Sequence, residues 1–392
     1  MCPALSTTRS WPGPSDPPVL DRALAPGRSI CGATCLATPT VAAMSSTMRA
    51  LRITSWGAPP ELVTVPVPEV GPGQVLVRVG GCGLCHSDLD MMAMPAAVGE
   101  ALGWSMPFTL GHETAGWVEA VGEGVDGLAV GDAVALASPS SCGSCRWCTS
   151  GRENRCTAAL VGRGYGRDGG LADLVLAEDA RGVLPIGSLD PAAAAPLTDA
   201  GATSHHAVRR VLPALGDGST VVVLGLGGLG AFVVQLLRAL SGARVIAADP
   251  DPVRRELGAR LGAHEVVDGV RRGTAREIGG LVGPAGADAV IDLVGTDDTI
   301  GCAVRVAGVG ASIGIVGAAG GTLARPWYGT LPRDGEVFTF QGSDLADARA
   351  VLDLAAAGRL EVPTVRYALD DVAQAYEALQ AGSLAGRLVV VP

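Results

Sequence analysis

The chain has 392 residues, enough for two domains, and its 48% hydrophobic and 17% charged residues suit a well-buried globular protein. Its 39 acidic against 29 basic residues leave a net charge of -10. That sign speaks against nucleic acid, whose recognition needs clustered Lys and Arg, and against an anionic membrane surface.

Residues 1–47 stand apart, rich in Pro, Ser, Thr and Ala without hydrophobic periodicity. No apolar run follows a basic start, so a secretory signal is not expected, and scattered arginines give only a faint transit-peptide character. The segment reads as a disordered tail or as an over-extended start, with initiation at Met44 or Met48. From Met48 onward, MRALRIT, QVLVRVGG, GWVEAVG and VGDAVAL read as short strands between Gly and Pro turns, a compact β-rich domain. Within it, Cys85 in GLCHSD and His112 in GHE are good zinc ligands separated by a long loop. A catalytic zinc needs one more protein ligand and an open position.

Cys142, Cys145, Cys148 and Cys156 follow at spacing C-x2-C-x2-C-x7-C. Four thiolates so close predict a closed, tetrahedral, structural zinc site. A ferredoxin cluster would end its tight run C-x3-C-P, and disulfides would need a secreted chain. The other cysteines, Cys2, Cys31, Cys35, Cys82, Cys85 and Cys302, form no regular framework. A reducing, cytoplasmic compartment fits.

The most apolar stretch, Val221 to Leu237, holds four glycines and Gln235, a poor membrane span but a good buried strand running into a helix. From Ser219, predicted strands TVVVLGLG, ARVIAAD, HEVVDG, ADAVIDLVG and ASIGIVG alternate with helices, the rhythm of βαβ units and a parallel sheet. The first strand runs into Gly225-Leu226-Gly227-Gly228-Leu229-Gly230 and a helix. The first glycine permits a tight turn, the second lets backbone approach a pyrophosphate, and the last lets helix and strand pack. The second strand ends at Asp249, 24 residues after Gly225, where a carboxylate can bind the adenosine ribose and repel a 2′-phosphate. NAD is therefore expected over NADP. Arg254 is placed to contact the ribose or adenine edge, or else is a solvated helix residue. Two further helices, near 343–360 and 370–380, precede a last strand, GRLVVVP, which is expected to return to the first domain.

Taken together, these strings resemble the zinc-dependent medium-chain alcohol dehydrogenases over about Met48 to Pro392, nearly nine-tenths of the chain. PLTDAGATSHHAV and the closing GRLVVVP resemble in particular the bacterial NAD-dependent secondary-alcohol dehydrogenases. The resemblance implies an α/β protein whose GroES-like β-rich catalytic domain, 48–200 continued by 343–392, is interrupted by a Rossmann doubly wound parallel-sheet domain at 201–342. It implies two zinc ions per subunit, the catalytic one on Cys85, His112 and Asp199. Many relatives carry cysteine at the last place, and a helix cap is the alternative reading of Asp199.

Glu113 is expected beside the metal and not as a permanent ligand. Asp88 would orient His112, and Ser87 would take the proton of the alcohol. Thr203 would touch the nicotinamide side, and Arg387 the pyrophosphate. His86 would contact phosphate or continue the proton relay, since Asp90 stands where relatives often have histidine. His205 and His206 are expected to be packing or surface groups. Met94, Trp104, Phe340 and Gln341 are candidates for the substrate pocket or for core packing.

The implied reaction is hydride transfer between NAD and an alcohol, secondary in preference, by a homodimer or homotetramer. Alternatives are a polyol or diol dehydrogenase, a zinc-free quinone or enone reductase, and a catalytically silent NAD-binding protein.

Overall fold

A computed structural model describes residues 46–392, apart from 139, 272, 383–385 and the side chain of 159. The tail reading of residues 1–45 lies outside the described residues. Its boundary shifts slightly: the first strand already begins at Thr47 (Thr47–Ile53), because Thr47 pairs with Pro66 on the antiparallel strand Glu61–Pro66.

The strand Val75–Gly83 is the spine of a seven-stranded sheet. It pairs antiparallel with Glu113–Val121 and, over its first half, with Leu174–Ala177. Ala133–Leu136 and Val183–Pro185 extend the sheet beyond Glu113–Val121. On the other side Arg387–Val391 pairs antiparallel with Cys82 and Gly83, and Thr364–Ala368 lies parallel to it. The C-terminal strand thus rejoins the first sheet, as expected. Thr364–Ala368 is absent from the sequence reading, because its mixed exposure gives no clean alternation.

Residues 220–338 build a sheet of six parallel strands. Its order is Glu265–Asp268, Arg244–Asp249, Thr220–Leu224, Ala287–Asp292, Ala307–Ile315, Glu336–Phe338. Counted along the chain this is 3-2-1-4-5-6, the doubly wound Rossmann order. Five of the six strands are those expected. The sixth, Glu336–Phe338, is three residues long and too short to show a period.

Val221, Val222, Val223 and Leu224 are fully buried. Helices cover both faces of the central strand, which explains a continuous apolar run in place of alternation. One face packs on the helices Ala200–Val211, Gly230–Leu240 and Leu345–Ala356 through Val208, Val211, Val233, Leu237, Val351 and Leu352. The other packs on Thr274–Val282 and Asp297–Val306 through Ile278, Cys302 and Val306. Local chemistry sets the helix starts: Pro252 opens Pro252–Arg260, and Asp251 accepts from the amides of Val253 and Arg254. Strand order reverses between Thr220–Leu224 and Ala287–Asp292, and ligands of such sheets bind at the carboxyl ends there. Among the described residues no helix is long and apolar enough to cross a membrane.

Candidate active site

Cys85 follows the end of strand Val75–Gly83 and is the N-cap residue of the helix His86–Met92. The Asp88 carboxylate accepts from the Cys85 amide at 3.0 Å, which fixes that turn. Gly83 pairs with Glu113 on the next strand, bringing His112 alongside. Gly111 precedes it at φ +100°, in the left-handed region, and a Cβ there would stand 2.6 Å from both Cys82 Sγ and the Leu171 amide nitrogen. Asp199 occupies the N-cap position of Ala200–Val211 but makes no side-chain cap hydrogen bond. Its Oδ1 accepts from the Thr203 hydroxyl at 3.2 Å, and its Oδ2 lies 3.4 Å from His112 Nε2. The capping alternative for Asp199 therefore fails: its carboxylate is turned toward the histidine.

One ligand atom from each of Cys85, His112, Glu113 and Asp199 lies within 4.8 Å of the others. His112 is buried, and its Nε2 has no hydrogen-bond partner. Its Nδ1 stands 3.3 Å from Asp88 Oδ1. A buried ring nitrogen left unpaired between a thiol and a carboxylate is costly unless a cation fills the gap. The sulfur, nitrogen and oxygen donors present match the ligand chemistry of zinc. The residues fit that metal.

Glu113 is held differently. Arg387 Nη2 donates to its two oxygens at 2.5 and 2.6 Å and to the Leu84 carbonyl at 3.0 Å. Burial pushes the Glu113 carboxyl up to about 7, against the opposing pull of Arg387 and His112. Burial alone would raise Asp199 too, yet the adjacent His112 and the charge of Arg387 hold it low.

The four-cysteine loop is closed on itself. Cys145 Sγ lies 3.5 Å and Cys142 Sγ 3.9 Å from Cys148 Sγ, and Cys156 Sγ accepts from the Cys142 amide at 3.5 Å. A disulfide would need about 2.05 Å, whereas zinc–sulfur bonds of about 2.3 Å in a tetrahedron place sulfurs about 3.8 Å apart. The amides of Ser144 and Cys145 pull the Cys142 thiol down to about 6, which readies it to bind as thiolate. No position in this set of four is open to substrate.

At the Rossmann crevice, Gly225 has φ +95° and a Cβ on it would stand 2.8 Å from Val294 Cγ2. A Cβ on Gly230 would stand 2.0 Å from the Gly225 carbonyl oxygen, so helix and strand touch there. Gly227 is nearly open, and a Cβ on Gly228 would meet Arg387 Nη1 at 2.2 Å. Leu229 is the N-cap residue of Gly230–Leu240, and its carbonyl accepts from Ser204. Asp249 is buried and works on the turn itself: Oδ2 accepts from the Leu226 amide at 2.7 Å, Oδ1 from the Asp251 amide at 2.9 Å. Arg254 Nη1 stands 3.9 Å from Asp249, and its Nη2 donates to the Gly382 carbonyl at 2.5 Å. Partial burial and then the charges of Arg387 and Arg254 lower the pKa of His86, so the imidazole sits neutral beside two guanidinium groups.

A nucleotide crevice beside a metal-ready donor set is the arrangement of a dinucleotide-dependent dehydrogenase. Comparison with known proteins narrows the class. The Alcohol dehydrogenase GroES-like domain family matches residues 71–188, and the Zinc-binding dehydrogenase family matches residues 228–357. The chain is 34% identical over 354 residues to an NAD-dependent alcohol dehydrogenase of Sulfurisphaera tokodaii, spanning 88% of this chain and 100% of that one. It is 29% identical to the D-arabinose 1-dehydrogenase (NADP(+)) of Saccharolobus solfataricus, spanning 88% and 97%. The crystal structure of the alcohol dehydrogenase from Aeropyrum pernix superposes with a TM-score of 0.80 at 31% identity, covering 88% of this chain and 100% of that one. The chain belongs to the zinc-type alcohol dehydrogenase family.

Several groups escaped the sequence reading. Tyr165 is half-buried with its ring centroid 4.6 Å from that of His112, and its hydroxyl lies 3.2 Å from Ser87 Oγ. The one cue was Gly on either side of an aromatic residue. Asp292, at the end of the fourth parallel strand, is buried with Oδ2 unpartnered while Oδ1 accepts from the Val294 and Gly295 amides. Asp347 is the missed partner of His205 and His206, expected as packing or surface groups, which both bond it through Nδ1 at 2.7 Å. Of the pocket candidates, Trp104 is buried against Phe108 and Tyr165, and Met94 packs in the same core. Phe340 instead stacks on His206 and Phe338, and Gln341 is exposed. Core packing is thus the better account of Phe340.

Proposed function

We propose that this chain interconverts alcohols, secondary ones foremost, and their carbonyl partners with NAD. The observation that carries the reading is the unpaired, buried His112 Nε2 facing Cys85 and Asp199 with Ser87 close by. Cys85, His112 and Asp199 would hold the catalytic zinc and the four-cysteine loop a structural one; the bound metal would supply Lewis acidity toward the substrate oxygen, and NAD the hydride acceptor.

Asp88 Oδ1, 3.3 Å from His112 Nδ1, would accept the Nδ1–H and so present Nε2 as the donor lone pair. Ser87 would take the substrate proton at its Oγ while its own hydroxyl proton passes on toward the ribose side of the cofactor crevice. Glu113, neutralised by Arg387, keeps a second carboxylate from competing for the metal. Arg387 and Arg254, beside Gly228 and Gly227, offer positive charge to the pyrophosphate, which the Gly230 helix end also favours, and His86 offers a neutral imidazole nearby. Asp249 shapes that turn and presents its charge to the adenosine ribose, which favours NAD over NADP. Thr203 holds Asp199 and faces the nicotinamide side.

In this reading 48–200 with 343–392 form the catalytic domain and 201–342 the cofactor domain. The protein works in the cytoplasm as a homodimer or homotetramer. A panel of primary, secondary and cyclic alcohols, assayed with NAD and with NADP on zinc-loaded protein, tests the proposal. The expected outcome is NADH formation fastest with secondary alcohols and a preference for NAD. No reduction of either cofactor by any alcohol would leave a catalytically silent NAD-binding protein.

A further inference from the structure

Beyond Cys156 the chain makes a tight turn over residues 162–167, in which Gly162 and Tyr165 exchange backbone hydrogen bonds of 2.8 Å. Gly164 and Gly166, on either side of Tyr165, have φ +74° and +77°. Both glycines are pressed against the site. A Cβ on Gly164 would stand 2.7 Å from the Gly111 carbonyl carbon and 2.9 Å from the His112 nitrogen. A Cβ on Gly166 would stand 2.6 Å from Trp104 Cγ. Trp104 is itself fixed, because its Nε1 donates to the Leu160 carbonyl at 2.7 Å. The turn is thus clamped between the backbone of the metal-site histidine and a pinned indole. It delivers the Tyr165 ring onto His112 and the hydroxyl to Ser87.

A serine hydroxyl carries one proton and two lone pairs and rotates almost freely. Among the described residues no other side chain hydrogen-bonds Ser87. We infer that Tyr165 is a positioning residue: its phenol holds the Ser87 hydroxyl in the rotamer that meets the substrate oxygen, so the proton acceptor is aimed before the substrate arrives. Such preorganisation matters most at the reacting atoms, where a small misplacement slows the chemistry far more than it weakens binding. The inference rests on the reading of Ser87 as the group that takes the substrate proton.

A double-mutant cycle tests it on the zinc-loaded enzyme with NAD and a secondary alcohol. Tyr165→Phe keeps the ring and removes only the hydroxyl. It is expected to lower kcat about tenfold, the worth of one well-placed hydrogen bond, with KM for alcohol and for NAD changed less than about twofold. In the Ser87→Ala background the same change is expected to cost less than about twofold, because the group it positions is gone. Equal losses in the two backgrounds, or an unchanged kcat in Tyr165→Phe alone, would overturn the inference while leaving Ser87 its role. A Ser87→Ala enzyme with normal kcat would remove the reading of Ser87 and the inference together.

Discussion

Asp199→Ala is expected to lower kcat/KM by about a thousandfold or more, with zinc lost or loosened at the catalytic centre and retained by the Cys142 loop. Lewis-acid assistance is worth several kcal/mol, and about 4 kcal/mol corresponds to a thousandfold in rate. The geometry leaves no ready substitute. Glu113 is near enough, but both its oxygens are engaged by Arg387. Asp199→Cys should keep the metal, since thiolate binds zinc well, while moving the pH dependence of turnover upward. Sulfur donates more charge than carboxylate, so the metal is a weaker acid and the substrate ionises at higher pH. Metal analysis and steady-state kinetics on both variants check this. Near-normal activity with full zinc in Asp199→Ala would make Asp199 a bystander.

The second large effect falls on stability. Asp347 is fully buried and bonds His205 and His206 at 2.7 Å and Arg209 at 3.1 Å. It also closes the capping box with Asp344 at the start of Leu345–Ala356. Removing it leaves two imidazoles facing a void and Arg209 with Asp344 as its remaining carboxylate. Breaking a buried charged network from one side costs about 3–5 kcal/mol, so Asp347→Ala should lower Tm by roughly 10 °C. Burial alone would raise this carboxyl's pKa, but the bonds from His205 and His206 outweigh it and hold it below the ordinary value of 3.8. The folded state therefore favours the ionised form. Its contribution is present above the ordinary carboxylate pKa and is lost as pH falls below it. Melting curves should accordingly show a gap between wild type and variant that is full at neutral pH and shrinks in strong acid. Equal Tm values at neutral pH would contradict the network's role.

What the sequence made legible was local. Glycine spacing after an apolar run, cysteines three apart, and Asp249 at a strand end are short-range signals, each with one physical reading. Cys85 and His112 became a site only through the family resemblance, because the strand pairing that joins them spans a long loop. Contacts of high sequence separation stayed hidden for the same reason. Ser87 and Tyr165 are 78 residues apart, and His205 and Asp347 are 142 apart. Arg387 shows the limit well. Expected at the pyrophosphate, it also spans 274 residues to neutralise Glu113, a pairing that no periodicity encodes. The short strands Thr364–Ala368 and Glu336–Phe338 were lost because a few residues of mixed exposure carry no period.

Elemental analysis of the purified protein tests the account most directly. Of three donor clusters among the described residues, the four cysteines and the set around His112 predict two zinc ions per subunit, because His206, Asp344 and Asp347 are already bonded to one another or to Arg209. Cys148→Ser should then hold one and melt at lower temperature, because the site it breaks is closed and structural. A wild-type protein that binds one zinc or none while turning over alcohol at full rate would contradict the account.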